Sequence, residues 1–355
     1  MSPMFVPGPV DVAPEVLVAQ TKPMIPHRSK DFEELFQRTG QKLQKLFYTQ
    51  SRVFQGTHSG SGMQEMAMRC LVQESVLCCV NGAFAKRWLD VAVANGKKAD
   101  KLEVAWGKII EPDQLRAELK KKHYEAVSIV HNETSTGAEN PLKELVAVVH
   151  EVSPDTLILV DAVSSLGGVK IEMDALGLDF LLTSSQKCLA LPPGLSFAGV
   201  SERAMKKAES VQNRGWYFDI LLLEKHRLKD STPMTPAMSL HNALDVQLDR
   251  IFAEGLEQRF QRHTDMAKKT QAWAIAHGME PLAAEPYRSK TVSTINNTKG
   301  WVIGDLNKFL LTKGMRIANG YGDLKEKTYR IAHMGEINMK NVDTLLAAME
   351  EFMAK

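Results

Sequence analysis

The sequence predicts an α/β protein with a mainly parallel sheet sandwiched by helices and a smaller C-terminal α+β domain. Between about residues 55 and 200, short apolar runs alternate with amphipathic stretches, as in repeated βαβ units. The apolar runs are continuous, which is typical of strands covered by helices on both faces. The chain of 355 residues, 44% of them hydrophobic, is long enough for a large core and two domains.

The predicted elements of the larger domain follow from these runs. Strands are predicted at residues 76–80, 102–106, 127–131, 157–161, 180–183 and 195–200. Helices are predicted at residues 63–73, 85–95, 112–122 and 141–152. The last two begin with proline. Proline is tolerated at this position because the first N–H groups of a helix have no acceptor within the helix.

The C-terminal third and the N-terminus complete the prediction. A long helical pattern at 239–276 is broken by Gly255 and precedes a strand at 291–295, a helix at 304–313, a strand at 328–332 and a helix at 340–352. Prolines at positions 3, 7, 9 and 14 argue against a helix or a central strand in the first 20 residues. We therefore expect an extended arm (1–20), a large domain (21–245), and a linking helix with a small domain (246–355).

Composition narrows the class of protein. The 44 basic and 42 acidic residues are interspersed, so no basic field points to nucleic acid or to an anionic membrane. No apolar run approaches the roughly 18 residues of a membrane span, and the start resembles no secretory signal. Cys70, Cys78, Cys79 and Cys188 lack metal-ligand spacing and are predicted to be buried thiols. We expect a cytoplasmic protein without a metal site.

Three features suggest chemistry, although each has a plain structural alternative. Lys187 follows a predicted strand in a polar turn, and a lysine of depressed pKa reacts with a carbonyl partner such as pyridoxal phosphate (PLP). Most lysines, however, are solvated surface charges. Asp161 ends an apolar strand 26 positions earlier and needs a cationic partner, which a pyridinium N–H or an internal ion pair supplies. Residues 59–62 are consistent either with an anion-binding site at the start of a helix or with a plain helix cap.

Together, the motifs resemble class V, fold-type I PLP-dependent aminotransferases of the alanine–glyoxylate and serine–pyruvate branch. The motifs are Pro7-Gly8-Pro9, His27-Arg28, Ser59-Gly60-Ser61-Gly62, His131-Asn132-Glu133-Thr134-Ser135-Thr136-Gly137, the strand ending at Asp161, Ser184-Ser185-Gln186-Lys187 and Tyr329-Arg330-Ile331-Ala332-His333-Met334-Gly335. They occur in the order of the family and extend over nearly the whole chain. The resemblance implies that the large domain binds PLP.

The resemblance also implies a role for individual residues. Lys187 bonds the cofactor and moves the substrate proton, Asp161 pairs with the ring nitrogen, Phe84 and Val163 pack on the ring faces, and Thr134 contacts the phenolic oxygen. The implied phosphate ligands are Ser61, Gly62, Met63, Ser185 and Gln186, with Thr232 and Thr235 from the neighbouring subunit of a homodimer. Arg330 grips the substrate carboxylate, and Gly8 lines the substrate site. Phe84 is equally consistent with a core aromatic, and Arg330 with a salt bridge in the small domain.

The leading hypothesis is a ping-pong aminotransferase. It moves an amino group from a small amino acid, of alanine or serine type, to a 2-oxo acid of glyoxylate or pyruvate type. Aspartate or phosphoserine is an alternative donor, with Arg28, Arg214 or His333 reading the second acidic group. A lyase such as a cysteine desulfurase needs a mobile catalytic cysteine in the C-terminal part of the chain, but no cysteine follows Cys188, which adjoins the candidate lysine. A non-catalytic subunit of PLP fold is a further alternative, disfavoured by the retained candidate residues.

Overall fold

The computed structural model describes residues 3–354. The strands are β1 Met4–Phe5, β2 Arg52–Gly56, β3 Ser75–Val80, β4 Lys98–Glu103, β5 Ala126–Val130, β6 Asn132–Glu133, β7 Ala138–Glu139, β8 Leu157–Asp161, β9 Phe180–Ser184, β10 Ser196–Val200, β11 Val292–Asn296, β12 Arg316–Asn319 and β13 Thr328–Ala332. The helices are α1 Pro14–Ala19, α2 Lys30–Phe47, α3 Gly60–Leu71, α4 Ala83–Ala94, α5 Pro112–Leu119, α6 Leu142–Val152, α7 Met173–Leu176, α8 Glu202–Ser210, α9 Ile220–Arg227, α10 Met238–Glu254, α11 Leu256–Ala276, α12 Ile303–Thr312 and α13 Met339–Met353. A short 3₁₀ turn lies at Gly322–Leu324.

The larger sheet has seven strands in the order β2-β10-β9-β8-β5-β3-β4. The strands from β9 to β4 are parallel to one another, whereas β10 is antiparallel to both of its neighbours. Alternate residues of β8 belong to two different apolar clusters, Ile158 and Val160 to one, Leu157 and Leu159 to the other. Successive side chains of a strand point to opposite faces, so helices cover the sheet on both sides. The predicted sandwich is confirmed.

One predicted strand is displaced along the chain. The predicted strand at 102–106 lies instead at Lys98–Glu103, the edge of the sheet, where only Leu102 is buried. An edge strand tolerates exposed charge and therefore lacks the apolar run by which its neighbours were predicted. The helix α2 and the strand β2, both of which begin before residue 55, were not predicted.

The N-terminal segment is only partly the extended arm that was predicted. Residues Pro14–Ala19 form the helix α1, with Pro14 in its first turn, so the exclusion of helix over residues 1–20 was wrong there. Proline fits a first helical turn because that N–H has no helical acceptor. Met4–Phe5 is an edge strand, paired in parallel with Arg316–Ile317 of β12.

The smaller sheet has the order β1-β12-β13-β11, with β13 antiparallel to both of its neighbours. Its apolar cluster includes Met266 of α11, Leu306 of α12 and Leu345 of α13. The predicted break of the long helix at Gly255 is confirmed by the separate helices α10 and α11. The division into domains at residues 20 and 245 stays a prediction.

Candidate active site

A cavity of about 250 Å³ lies where β5, β8 and β9 end and α3 and α4 begin. Of the residues predicted from sequence, it is lined by Gly8, Ser61, Phe84, Thr134, Asp161, Val163, Gln186 and Lys187. In open α/β sheets, ligands bind beyond the carboxyl ends of the parallel strands. The strand ends thus bring together side chains that are distant in the sequence.

Asp161 is the last residue of β8, and its carboxylate lies at the wall of the cavity. It accepts hydrogen bonds from Gln64 Nε2 at 2.8 Å and from the Val163 N–H at 2.9 Å. Burial raises the pKa of Asp161 above its ordinary value, and these two donors oppose that rise. Both donors are neutral, so the buried carboxylate can accommodate a cationic group of a ligand.

Lys187 lies in the same cavity, and its amine donates to the carbonyl oxygen of Pro7. Burial, together with the nearby positive charge of Arg330, lowers the pKa of Lys187 to about 8. The N-terminal arm is held beside this lysine by a hydrogen bond from the Val10 N–H to the Gln186 carbonyl at 3.2 Å. Lys187 is therefore a desolvated amine of increased nucleophilicity at neutral pH.

Phe84 lies in the first turn of α4, which a buried carboxylate caps. Glu133 accepts hydrogen bonds from the backbone N–H groups of Phe84 at 3.1 Å and of Ala85 at 2.8 Å. Burial raises the pKa of Glu133, against the opposing effect of these hydrogen bonds. The cap fixes the start of the helix and with it the position of the Phe84 ring at the cavity wall.

Arg330 lies on β13, an inner strand of the smaller sheet; it does not line the cavity itself but contacts Thr134, which does. Its guanidinium donates to the carbonyl oxygens of Asn319 at 3.0 Å and Thr134 at 3.4 Å, and it lies 5.5 Å from the centre of the Tyr321 ring. Burial lowers the pKa of Arg330 to about 10, with Tyr321 and Glu133 opposing. The group stays charged at neutral pH and can bind a carboxylate.

Several predicted site residues lie outside the cavity lining. Gly62 is in the first turn of α3, where its N–H donates to the Ser59 carbonyl, and Met63 is fully buried. Ser185 is buried and donates to the Pro192 carbonyl at 2.7 Å. Thr232 and Thr235 line a separate cavity of about 40 Å³, and the Thr232 hydroxyl donates to the Met234 carbonyl at 2.7 Å.

The cavity also contains polar residues that the sequence analysis did not select. They are Gln64, Arg87, Asn132 and Ser184, whereas Ser59 and Gly60, which also line the cavity, belong to the candidate loop at 59–62. Gln64 and Arg87 follow Ser61 and Phe84 by three positions on α3 and α4 respectively, and residues three apart share a helix face. Gln64 and Arg87 could therefore have been predicted from their spacing. No such spacing links Asn132 or Ser184 to the other site residues.

The residues considered for a second acidic group are otherwise engaged. Arg28 donates to the Thr232 carbonyl, Arg214 pairs with Asp219 at 2.9 Å, and burial lowers the pKa of His333 to about 3. None of the three lines the cavity in the part of the chain that the structure describes.

The cysteines are buried, and burial raises the pKa of Cys188 to about 12, so its reactive thiolate form is disfavoured at neutral pH. Within residues 3–354, no cluster of three or more His, Cys, Asp or Glu side chains is arranged to hold a metal ion. Over the same residues, none of the helices combines the length and the apolar character that crossing a membrane requires.

Comparison with known proteins agrees with this geometry. The family model of Aminotransferase class-V matches residues 16–320. An uncharacterized aminotransferase of Methanocaldococcus jannaschii is 40% identical over 98% of this chain and 91% of its own length. The L-aspartate–glyoxylate aminotransferase of Paracoccus denitrificans is 31% identical over 99% of this chain and 91% of its own. The crystal structure of alanine–glyoxylate aminotransferase from Nostoc sp. superposes with a TM-score of 0.93 at 29% identity, covering 99% of this chain and 96% of the other.

The fold is that of the fold-type I transferases. The candidate lysine and carboxylate line a cavity at the carboxyl ends of the central strands. The chain belongs to the class-V aminotransferase family, whose members use PLP, and it is a transaminase.

Proposed function

We propose that this aminotransferase binds PLP in the Lys187 cavity and moves an amino group from a small amino acid to a 2-oxo acid. Alanine or serine is the proposed donor type, and glyoxylate or pyruvate the proposed acceptor type. The observation that carries the proposal is that Lys187 and Asp161 line one cavity while Arg330 lies at its edge. Lys187 supplies the amine that bonds the cofactor, and Asp161 supplies the negative charge for its ring nitrogen. Arg330 supplies the positive charge for the substrate carboxylate.

The cavity has the unfilled polar groups expected of a cofactor site. Gln64 Oε1, Asn132 Oδ1 and Ser184 Oγ are buried without a hydrogen-bond partner among the described residues, and all three residues line the cavity. Buried polar atoms are rarely left unpaired, so a polar ligand suits this space. The Asp161 carboxylate would hold the protonated ring nitrogen, Phe84 and Val163 would pack on the ring, and Thr134 would contact its phenolic oxygen.

The chemistry of each residue follows from its environment. PLP, when bound, supplies a ring that withdraws electrons from the α-carbon of the substrate. The Asp161 carboxylate keeps positive charge at the ring nitrogen. The Lys187 amine, once released from the cofactor, would accept the proton from the α-carbon of the substrate and deliver it to the C4′ carbon of the cofactor. Because burial lowers the pKa of Lys187 to about 8, proton gain and loss are closely balanced near neutral pH.

Arg330 would orient the donor by its α-carboxylate. A planar guanidinium binds a carboxylate through two parallel hydrogen bonds, which a lysine cannot do. We also propose that residues near Gly8, Phe218 and Tyr321 determine which donor side chain is accepted. The relatives from Paracoccus and Nostoc are both named for transfer to glyoxylate, which supports glyoxylate as acceptor here.

The proposal is tested by single half-reactions with the purified protein and added PLP. Alanine, serine and aspartate are offered separately, and conversion to the pyridoxamine form is followed by absorbance. We expect the fastest conversion with alanine or serine. Arg330→Lys should raise the apparent KM for every donor about 10-fold or more. Arg316→Lys, at the exposed first residue of the neighbouring strand β12, is the matched control. No conversion with any of the three donors would contradict the proposed donor class.

Aspartate is the second candidate donor, because Arg87 is an additional guanidinium in the cavity lining. If Arg87 reads the side-chain carboxylate of aspartate, Arg87→Gln should raise the KM for aspartate far more than that for alanine. If the KM values change equally, Arg87 does not select the donor.

We also propose a homodimer in which Thr235 of the partner subunit completes the phosphate site. Thr235 is exposed and lines a small cavity together with Tyr217, and the adjacent side chains of Trp216 and Tyr217 are 64% and 42% exposed. Exposed apolar side chains near one another favour a protein interface. Mixing inactive Lys187→Ala with Thr235→Asp subunits should restore activity if the sites are shared. The four free, buried thiols support the cytoplasm as the proposed compartment.

A further inference from the structure

We propose that Arg87 is the cation that binds the cofactor's phosphate, an inference that rests on the proposed use of PLP. Arg87 is three residues after Phe84 on α4 and lines the same cavity. Its Nη1 donates to Ser61 Oγ at 3.2 Å, in the first turn of α3. The guanidinium therefore lies beside the helix start at which a phosphate is expected.

The start of α3 favours an anion but does not neutralise one. The helix runs over 12 residues from Gly60, and the N–H groups of its first turn and its dipole attract negative charge. A phosphate monoester carries close to two negative charges at neutral pH. The partial charge of a helix end is about half an elementary charge, so a full cation is required for balance.

Unpaired polar atoms of the cavity indicate a ligand independently of the helix. Gln64 on α3 is 97% buried and Ser184 fully buried, yet Gln64 Oε1 and Ser184 Oγ have no hydrogen-bond partner among the described residues. Both residues line the cavity together with Arg87 and Ser61. The site thus combines unpaired polar groups, a helix start and a guanidinium.

The orientation of the guanidinium is also fixed by contacts. Its central carbon lies 4.9 Å from the centre of the Phe84 ring, a cation–π contact that holds the planar group against the aromatic face. Only one of its five N–H donors is used in the hydrogen bond to Ser61. Arg87 has no carboxylate partner among the described salt bridges, whereas its neighbour Lys86 pairs with Asp90 at 2.7 Å.

The other cations of the cavity have different assignments. Lys187 bonds the aldehyde carbon in the proposed function, and Arg330, donating to the Thr134 and Asn319 carbonyls, is reserved for the substrate carboxylate. Arg87 remains for the phosphate. The same residue then cannot read the side-chain carboxylate of aspartate, which favours a small donor.

The test compares PLP with pyridoxal, which has the same ring and aldehyde without the phosphate. Dissociation constants are measured for the apo dimer by fluorescence titration, so the readout does not depend on turnover. Arg87→Gln should weaken PLP binding about 30-fold, or about 2 kcal/mol, with pyridoxal binding nearly unchanged. Arg87→Lys should weaken PLP binding less than Arg87→Gln does, because the positive charge remains. Lys86→Gln, which removes a positive charge at the adjacent exposed position, is the matched control and should leave both constants unchanged.

Equal weakening of PLP and pyridoxal in the Arg87 variants would overturn the inference, since Arg87 would then act through the Phe84 ring. Unchanged PLP binding would overturn it as well. If Arg87→Gln does not fold, Arg87→Lys carries the same comparison of the two ligands. Failure of the wild-type protein to bind PLP at all would instead refute the proposed function.

Discussion

The contact between the N-terminal arm and Lys187 gives the sharpest prediction, because Gly8 has no room for a side chain. Its φ of +96° lies in the region that side chains rarely adopt. A Cβ at this position would lie 2.7 Å from Lys187 Cδ and 2.8 Å from the carbonyl oxygen of Gln186. The lysine can move, but the backbone oxygen cannot move without shifting the turn that holds the lysine.

The expected loss of stability in Gly8→Ala has two contributions, the positive φ and the steric overlap of the added Cβ. A positive φ in a residue with a side chain is unfavourable by about 1–2 kcal/mol. Forcing an extra carbon into a packed site destabilises by about 1–3 kcal/mol. Gly8→Ala should therefore lower the free energy of unfolding by about 2–5 kcal/mol, unless the arm detaches first. In either case Lys187 loses its packing, and we expect weaker PLP binding.

A second glycine variant separates the cost of the positive φ from the cost of the steric contact with Lys187 and Gln186. Gly96 has a φ of +71°, but a Cβ there meets nothing within 4 Å, so Gly96→Ala should show only the backbone contribution. Urea unfolding of both apo variants and PLP titration measure the two effects. If Gly8→Ala is no more destabilising than Gly96→Ala and binds PLP like the wild type, the arm does not pack on Lys187 as described.

Four further predictions concern the charges in the cavity. Lys187→Ala should abolish the visible absorbance of lysine-bound PLP, and retention of that absorbance would refute its assignment. Asp161→Asn should lower kcat about 100-fold or more while the protein remains folded, because the ring nitrogen loses its counter-charge; an unchanged kcat would contradict this role. The attachment of PLP to the apo protein should accelerate with rising pH, with a midpoint near pH 8, because only the neutral amine reacts and burial lowers the pKa of Lys187 to about 8. Arg330→Gln should move that midpoint upward, because it removes a positive charge that lowers the pKa of Lys187; a midpoint unmoved in rapid-mixing absorbance measurements would refute this coupling.

The sequence was sufficient for those parts of the fold and the site that depend on local pattern. Asp161 at the end of β8 could be placed because a continuous apolar run ends at a charged residue. The strand β4 was displaced because an edge strand is exposed and lacks such a run. The helix α1 was missed because Pro14 was taken as a helix breaker, although it lies where a helix accepts proline.

Contacts between distant segments could not be predicted in this way. Gly8 and Lys187 are 179 positions apart, and no spacing rule predicts that the arm covers the lysine. The resemblance to a family suggested Gly8 for the substrate site but not its contact with Lys187. For Arg87, in contrast, the local spacing was informative, because Arg87 follows Phe84 by three positions on a predicted helix. It was not selected because a lone arginine on an amphipathic helix is usually a surface charge.

The charge balance of the cavity connects the fold with the proposed reaction. Lys187, Arg330 and Arg87 bring positive charge to the cavity or its edge, whereas Asp161 is the carboxylate among the lining residues. Such an excess of positive charge is unfavourable in a buried space unless anions enter it. The phosphate of the cofactor and the carboxylate of the amino acid are two such anions. Because the parallel strands set Asp161 and Lys187 at one edge and β13 brings Arg330 to it, the two proposed anions bind at separate places, and a donor can be exchanged while the phosphate stays bound.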